Sequence, residues 1–259
     1  MTKVVPKKSL GQHWLYDETS LLTMCEAAQV DAADTVLEVG PGLGTLTHHL
    51  LSYKARVVAV EYDRILAEKL KKHYLNHPRF VVHNEDILNF DFTSLPEDYK
   101  IVANIPYYLT SLLLRTITEA SRGFSVAVLL VQKEVAERVC AKPGNMSILA
   151  VSVQLYSEPS LERVVLAELF TPPPKVDSQI LVLKKRPQPL FTVDEKKFMK
   201  IVKAGFSLKR KKLKTSLAYG LSISKQQAEE FLVKADISPD ERAQQLRLDD
   251  WYALYKVLY

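Results

Sequence analysis

From Thr35 onward, short β-rich apolar runs alternate with longer stretches of helical periodicity, and this alternation constrains the fold more than any other feature. The runs are TVLEVG, ARVVAVE, RFVVHNED, KIVANI and FSVAVLLVQ, with helix-like segments expected between the first four pairs. Strands joined through helices lie parallel, and a parallel sheet needs helices on both faces. Two further β-rich runs, LERVVLAEL and SQILVLKKR, are separated only by the Pro-rich turn FTPPPKVD, which leaves no room for a crossover helix. They are therefore expected to form an antiparallel hairpin at the sheet edge. The expected class is α/β: a doubly wound, Rossmann-like sheet, mostly parallel, closed by that hairpin.

Past RPQPL the β signal stops and four helical patterns follow, DEKKFMKIVKAGFS, KRKKLKTSLAYG, SKQQAEEFLVKA and RLDDWYALYKVL. The prolines at 187 and 189 mark a linker, so the expected domains are 1–186 and a small all-α unit, 187–259. A chain of 259 residues is long enough for both. Thirty-five Lys and Arg against 30 Asp and Glu favour an anionic partner. Cys25 and Cys140 stand alone, which suits free thiols in a reducing cytosol and argues against a structural zinc site. No apolar stretch reads as an export signal or a membrane span, so the expectation is a soluble cytoplasmic protein.

LEVGPGLGTLT places Gly40, Gly42 and Gly44 between a strand and a helix, where a tight turn and close ligand approach favour residues without Cβ. The next strand ends at Glu61, placed to take both hydroxyls of a ribose, and the third ends at Asp86, placed to meet an adenine amino group. No P-loop Lys follows the glycines and no Arg stands beside them to neutralise a pyrophosphate. An adenosine cofactor without phosphates fits better than a dinucleotide. S-adenosylmethionine (SAM) is such a molecule, and its sulfonium donates a methyl group without help from a metal.

The fourth strand ends in NIPYY, and ligands of open α/β sheets sit at the carboxyl ends of strands. Asn104 offers a carbonyl acceptor, and the residue before Pro106 is held extended, so the Asn104 side chain and the Ile105 carbonyl can share a pocket. Two adjacent acceptors suit an exocyclic amine with two N–H donors. Tyr107 supplies a face on which a flipped base can stack. A structural role as helix-start aromatics is the competing reading for Tyr107 and, more strongly, for Tyr108.

Taken in order, KKSLGQHWL, EVGPGLGTLT, NIPY, VQKEVAERV, FTPPPKVDS and GFSLKRKKL resemble the KsgA family of ribosomal small-subunit RNA adenine N6,N6-dimethyltransferases over nearly the whole chain. That resemblance implies a SAM-dependent enzyme that dimethylates two adjacent adenosines near the 3′ end of small-subunit rRNA, acting as a monomer on a pre-30S-like particle. Carried over by position, it puts cofactor contacts at His13, Leu15, Gly40, Glu61, Asp86 and Asn104. It puts the target adenine among Asn104, the carbonyl next to Pro106, Tyr107 and Phe170 as the opposing ring. Two alternatives share the motifs or the partner: a macrolide-resistance-type enzyme acting on large-subunit rRNA, and a ribosome-assembly checkpoint factor in which methylation is secondary. The chain departs from the usual family pattern at His13, Trp14 and Tyr108, where Asn, Phe and Asn are more common.

Lys209, Arg210, Lys211, Lys212 and Lys214 crowd into six positions. At helical spacing they cover more than one face and suit a phosphate backbone, and the resemblance places them in an RNA-facing small domain. Lys3, Lys7 and Lys8 are a second candidate RNA contact. His48, His49, His73 and His77 lack the acidic partners of a metal motif and read as surface histidines. Asp177 is expected to fix the Pro-rich loop.

Overall fold

The computed structural model describes residues 5–7, 10–119 and 123–259. Lys3 and Lys8 lie outside the described residues. The chain divides into two compact units, one made of the segment up to Ala136 with Glu158–Lys185, the other of Glu137–Ser157 with Arg186–Tyr259.

In chain order, the first unit contains β1 (Trp14–Leu15), α1 (Glu18–Ala27), β2 (Thr35–Val39), α2 (Thr45–Ser52), β3 (Arg56–Val60), α3 (Arg64–His73), β4 (Phe80–His83), β5 (Lys100–Asn104), α4 (Thr110–Glu119) and β6 (Val126–Gln132). Helix α5 (Lys133–Val139) and α6 (Ile148–Tyr156) follow, then β7 (Ser157–Val165), β8 (Phe170–Thr171) and β9 (Ser178–Lys185). Seven strands form one sheet in the order β4-β3-β2-β5-β6-β9-β7. The pairs from β4 to β6 are parallel, β9 runs antiparallel to β6, and β7 lies beside β9 at the sheet edge. Buried runs such as Val57 to Val60 and Ala127 to Val131 explain why the central strands read as continuous apolar segments rather than alternating ones. The parallel register sets Val39 beside Val60 and Val60 beside His83, so the carboxyl ends of β2, β3 and β4 come level.

Two expectations about this unit change. No α-helix joins β4 to β5; the link holds two short 3-10 turns, Ile87–Asn89 and Phe92–Ser94. Asp86 and Asp91 accept hydrogen bonds from the backbone N–H groups of Leu88 and Thr93, a local pairing that competes with helix formation, and Pro96 follows. The sequence also concealed a two-stranded ladder, in which Trp14 pairs with Thr171 and Leu15 with Phe170. It fastens the segment before α1 to the Pro-rich loop. That loop is itself pinned as expected of Asp177, whose Oδ1 accepts from the Ala167 N–H at 2.9 Å.

The second unit is helical: α7 (Glu195–Gly205), α8 (Leu213–Leu221), α9 (Lys225–Lys234) and α10 (Leu248–Leu258) surround a core that includes Phe198, Leu217, Leu232 and the fully buried Trp251. Gly220 lies against the Ala204 backbone, which brings α7 and α8 into close approach. Ala150, Val151 and Leu155 of α6 belong to the same core, so residues 137–157 go with this unit rather than with the 1–186 domain expected from sequence. The other boundary, between Lys185 and Arg186, falls within one residue of the expected linker. Among the described residues, no helix is long and apolar enough to cross a membrane.

Candidate active site

The carboxyl ends of β2, β3 and β5, with the turn after β4, open onto one cavity of about 400 Å³, within the range of small-molecule sites. After β2 the chain turns through Gly40, Gly42 and Gly44, all with positive φ (64°, 59° and 83°). Gly42 shows why glycine is needed: beyond its left-handed backbone, a Cβ there would come within 3.4 Å of the Trp14 ring. Its N–H donates to Glu61 Oε2 at 3.0 Å.

Glu61 is 6% exposed. Its other oxygen accepts from the Asp63 N–H at 2.8 Å, so the carboxylate is fixed by backbone donors on both oxygens while lining the cavity. Burial pushes its pKa up, against the pull of these two donors. Asp86 lines the same edge, with Oδ1 accepting from Leu88 N–H at 3.0 Å. Below the glycine loop lies Glu38, 1% exposed, taking a hydrogen bond from the Thr47 hydroxyl at 2.6 Å. Burial, reinforced by nearby Glu61, pushes Glu38 up to about 8. Nothing in the glycine-loop pattern singles Glu38 out; the strand's burial on both faces does.

On the opposite edge Asn104 Nδ2 donates to the His13 carbonyl at 3.2 Å. With its nitrogen committed, the Asn104 amide keeps Oδ1 as an acceptor in the cavity wall, beside Ile105 and Pro106. His13 Nδ1 lies 2.7 Å from the Pro172 carbonyl, to which it donates, and the ring is stacked on Tyr107 with centroids 5.8 Å apart. The phenol of Tyr107 is 2.7 Å from Ser178 Oγ. Sequence reasoning missed Ser178. Phe170 is not where the resemblance puts it, opposite Tyr107 in the cavity. Phe170 is 2% exposed, packed in the core cluster around the sheet and absent from the cavity lining. Its pairing with Leu15 in the β1–β8 ladder turns the ring inward, so the aromatic faces beside Asn104 here are those of His13 and Tyr107. Leu15, 1% exposed, reaches the cavity from the core side. Trp14 Nε1 is buried and has no hydrogen-bond partner among the described residues.

Four carboxyl side chains, Glu38, Glu61, Glu85 and Asp86, line the cavity, and no Lys or Arg does among the described residues. Glu38, raised to about 8, is neutral below that pH, and the remaining acidic lining suits a cationic, phosphate-free nucleoside and disfavours a pyrophosphate. The model of the family described as ribosomal RNA adenine dimethylase matches residues 5–259. The chain belongs to that family. It is a SAM-dependent rRNA adenine dimethyltransferase. The family fold is seen again in a solved dimethyladenosine transferase from Plasmodium falciparum, 27% identical with a TM-score of 0.81 over 93% of this chain and 96% of that one. The 23S rRNA methyltransferase ErmE is 28% identical, with a TM-score of 0.75 over 95% and 99% of the two chains. Among family members, a ribosomal RNA small subunit methyltransferase A from Dehalococcoides mccartyi is 41% identical over 96% of this chain and 87% of its own length.

In the second unit the basic run is a turn, not a helix face. Lys209 to Lys212 precede α8, with Lys211 N–H donating to the Leu208 carbonyl. Lys212 pairs with Asp240 at 2.9 Å, and Lys214 lies 3.4 Å from both Glu229 and Asp240. Lys209, Arg210 and Lys211 are exposed and have no acidic partner among the described residues. Lys7, the described member of the N-terminal candidates, is committed to Asp63 at 2.8 Å.

Proposed function

We propose that this enzyme dimethylates N6 of two adjacent adenosines near the 3′ end of small-subunit rRNA, as a monomer acting on a pre-30S-like particle in the cytoplasm. The observation that carries the chemistry is Asn104, whose nitrogen is held by His13 so that its oxygen remains an acceptor in the same cavity as Glu61. The exocyclic amine of adenine is a poor nucleophile because its lone pair is delocalised into the ring. Asn104 Oδ1 and the Ile105 carbonyl accept its two hydrogens and favour a pyramidal nitrogen with a localised lone pair. Tyr107, braced by His13 and Ser178, presents a face to the flipped base. Bound SAM supplies an electrophilic methyl group. Glu61 and Asp86 hold its adenosine, and the carboxyl-rich lining favours its positive charge.

Small-subunit specificity is supported by the 41% identity to a small-subunit enzyme against 28% to the 23S rRNA enzyme. Lys209, Arg210 and Lys211 supply the phosphate grip, because Lys212 and Lys214 are already ion-paired. Incubating the protein with labelled SAM and unmethylated small or large subunits, followed by nucleoside mass analysis, tests the proposal. N6,N6-dimethyladenosine from the small subunit is the expected product; label confined to the large subunit overturns it.

A further inference from the structure

The two tyrosines of NIPYY are consecutive, yet they face different halves of the cavity. Tyr107 is engaged on the side of His13, Asp177 and Ser178. Tyr108 turns the other way. It lines the cavity together with Asp86, Tyr62 and Glu61, and burial, with the charges of those neighbours, raises its phenol pKa. One side of the ring lies on Gly11, 3.4 Å from where a Cβ would stand. Gly11 has φ +59°, so a larger residue there would be strained. The side chain remains 64% exposed and lines the cavity. A ring seated on one side and open on the other is a platform, not a core aromatic. Tyr62, which directly follows Glu61 and is 62% exposed, lines the same rim.

We propose that Tyr108 is a cofactor-binding residue whose ring covers the adenine of SAM and of the product S-adenosylhomocysteine at the rim of the cavity. The proposal rests on Glu61 and Asp86 marking the adenosine end. The neighbours of Tyr108 are the groups that accept from ribose hydroxyls and an exocyclic amine, whereas the groups assigned to the RNA base lie on the side of Tyr107. The ring, rather than the hydroxyl, makes the contact. It shields an adenine edge from water and slows release of spent cofactor between successive methyl transfers.

Calorimetric titration of SAM and S-adenosylhomocysteine into the wild type, Tyr108→Ala, Tyr108→Asn, Tyr108→Phe and Glu61→Ala tests this. Tyr108→Ala and Tyr108→Asn are expected to weaken both ligands about three- to ten-fold, with Tyr108→Phe within about two-fold of wild type. The KM for SAM rises in the first two variants, and the KM for RNA does not. Unchanged affinity in Tyr108→Ala, with Glu61→Ala weakened, overturns the role of Tyr108 alone. Unchanged affinity in Glu61→Ala overturns the assignment of the adenosine end on which the proposal stands. A rise in KM for RNA without loss of SAM affinity overturns it by giving the ring to the RNA.

Discussion

The two edges of the cavity are built by different means. On the cofactor edge the carboxylates are fixed largely by near neighbours: Glu61 takes the N–H of Asp63 and Asp86 that of Leu88, each two residues away. On the target edge every fixing contact is distant in sequence. Asn104 reaches His13 across 91 positions, Tyr107 reaches Ser178 across 71, and His13 reaches Pro172 across 159. The difference shows where the enzyme's organisation is vulnerable. Glu61 and Asp86 take these local contacts in the turns that follow β3 and β4, whereas the target edge exists only once the segment before α1 and the Pro-rich loop have both docked.

The largest expected effect breaks the target edge. Asn104→Ala removes the proposed side-chain acceptor for the amine, and turnover is expected to fall by at least about 100-fold, the scale of losing one preorganised polar group at a reacting centre. Circular dichroism should report a retained fold, and SAM titration a much smaller change than the loss in turnover. Near-normal methylation would remove Asn104 from the chemistry. The next effect breaks the cofactor edge. Glu61→Ala deletes the proposed ribose acceptor and frees the Gly42 and Asp63 N–H groups that it held. SAM affinity should drop by about 10- to 100-fold, which corresponds to one or two charge-assisted hydrogen bonds. The variants separate the two edges only if the first acts mainly on kcat and the second on KM for SAM.

This contrast also governs what could be read from the sequence. The sheet, the glycine loop and the convergence of Glu61, Asp86 and Asn104 on one cavity were legible because apolar runs and the residues that end them carry the signal locally. Phe170 was misplaced because its environment depends on the two-residue β1–β8 ladder, too short to leave a pattern in either segment. Ser178 was read only as the start of a strand. The unit to which α6 belongs was equally hidden. ILAVSVQLY is mostly apolar, and nothing in such a helix says which core it enters until Phe198 and Trp251 are seen in the same core. The basic run misled for a local reason: the charges of Lys209 to Lys212 sit in a turn, and the helical pattern begins only at Leu213.

Glu38 offers a smaller effect that is readable as a pH dependence. Its carboxyl is raised from an ordinary value of 4.5 to about 8 in the folded protein, mainly by burial. Between those values the folded state keeps a proton that the unfolded chain releases, so the contribution of Glu38 is fullest below pH 4.5 and is lost as pH rises toward 8. The slope is about 1.4 kcal/mol per pH unit at most. Glu38→Gln keeps the shape without the titration. Urea unfolding at several pH values should show the stability of the variant gaining on wild type across that window and running parallel above it. Parallel curves throughout would mean that Glu38 titrates near its ordinary value in the fold.

The smallest effect probes how independent the edges are. Ser178→Ala removes the partner of the Tyr107 phenol while leaving the ring stacked on His13. Ser178 is fully buried, so the loss of one neutral hydrogen bond should cost about 0.5–1.5 kcal/mol of stability. Freed from Ser178, the Tyr107 ring is less well held as a stacking face, and kcat should fall by a few-fold at saturating SAM. Because no contact on the cofactor edge passes through Ser178, SAM affinity should stay within error of wild type. A parallel loss of SAM affinity would show that the Pro-rich loop, through His13 and the adjoining Trp14 against the glycine loop, supports both edges at once, and that the local bonds of Glu61 and Asp86 do not suffice to build the cofactor edge.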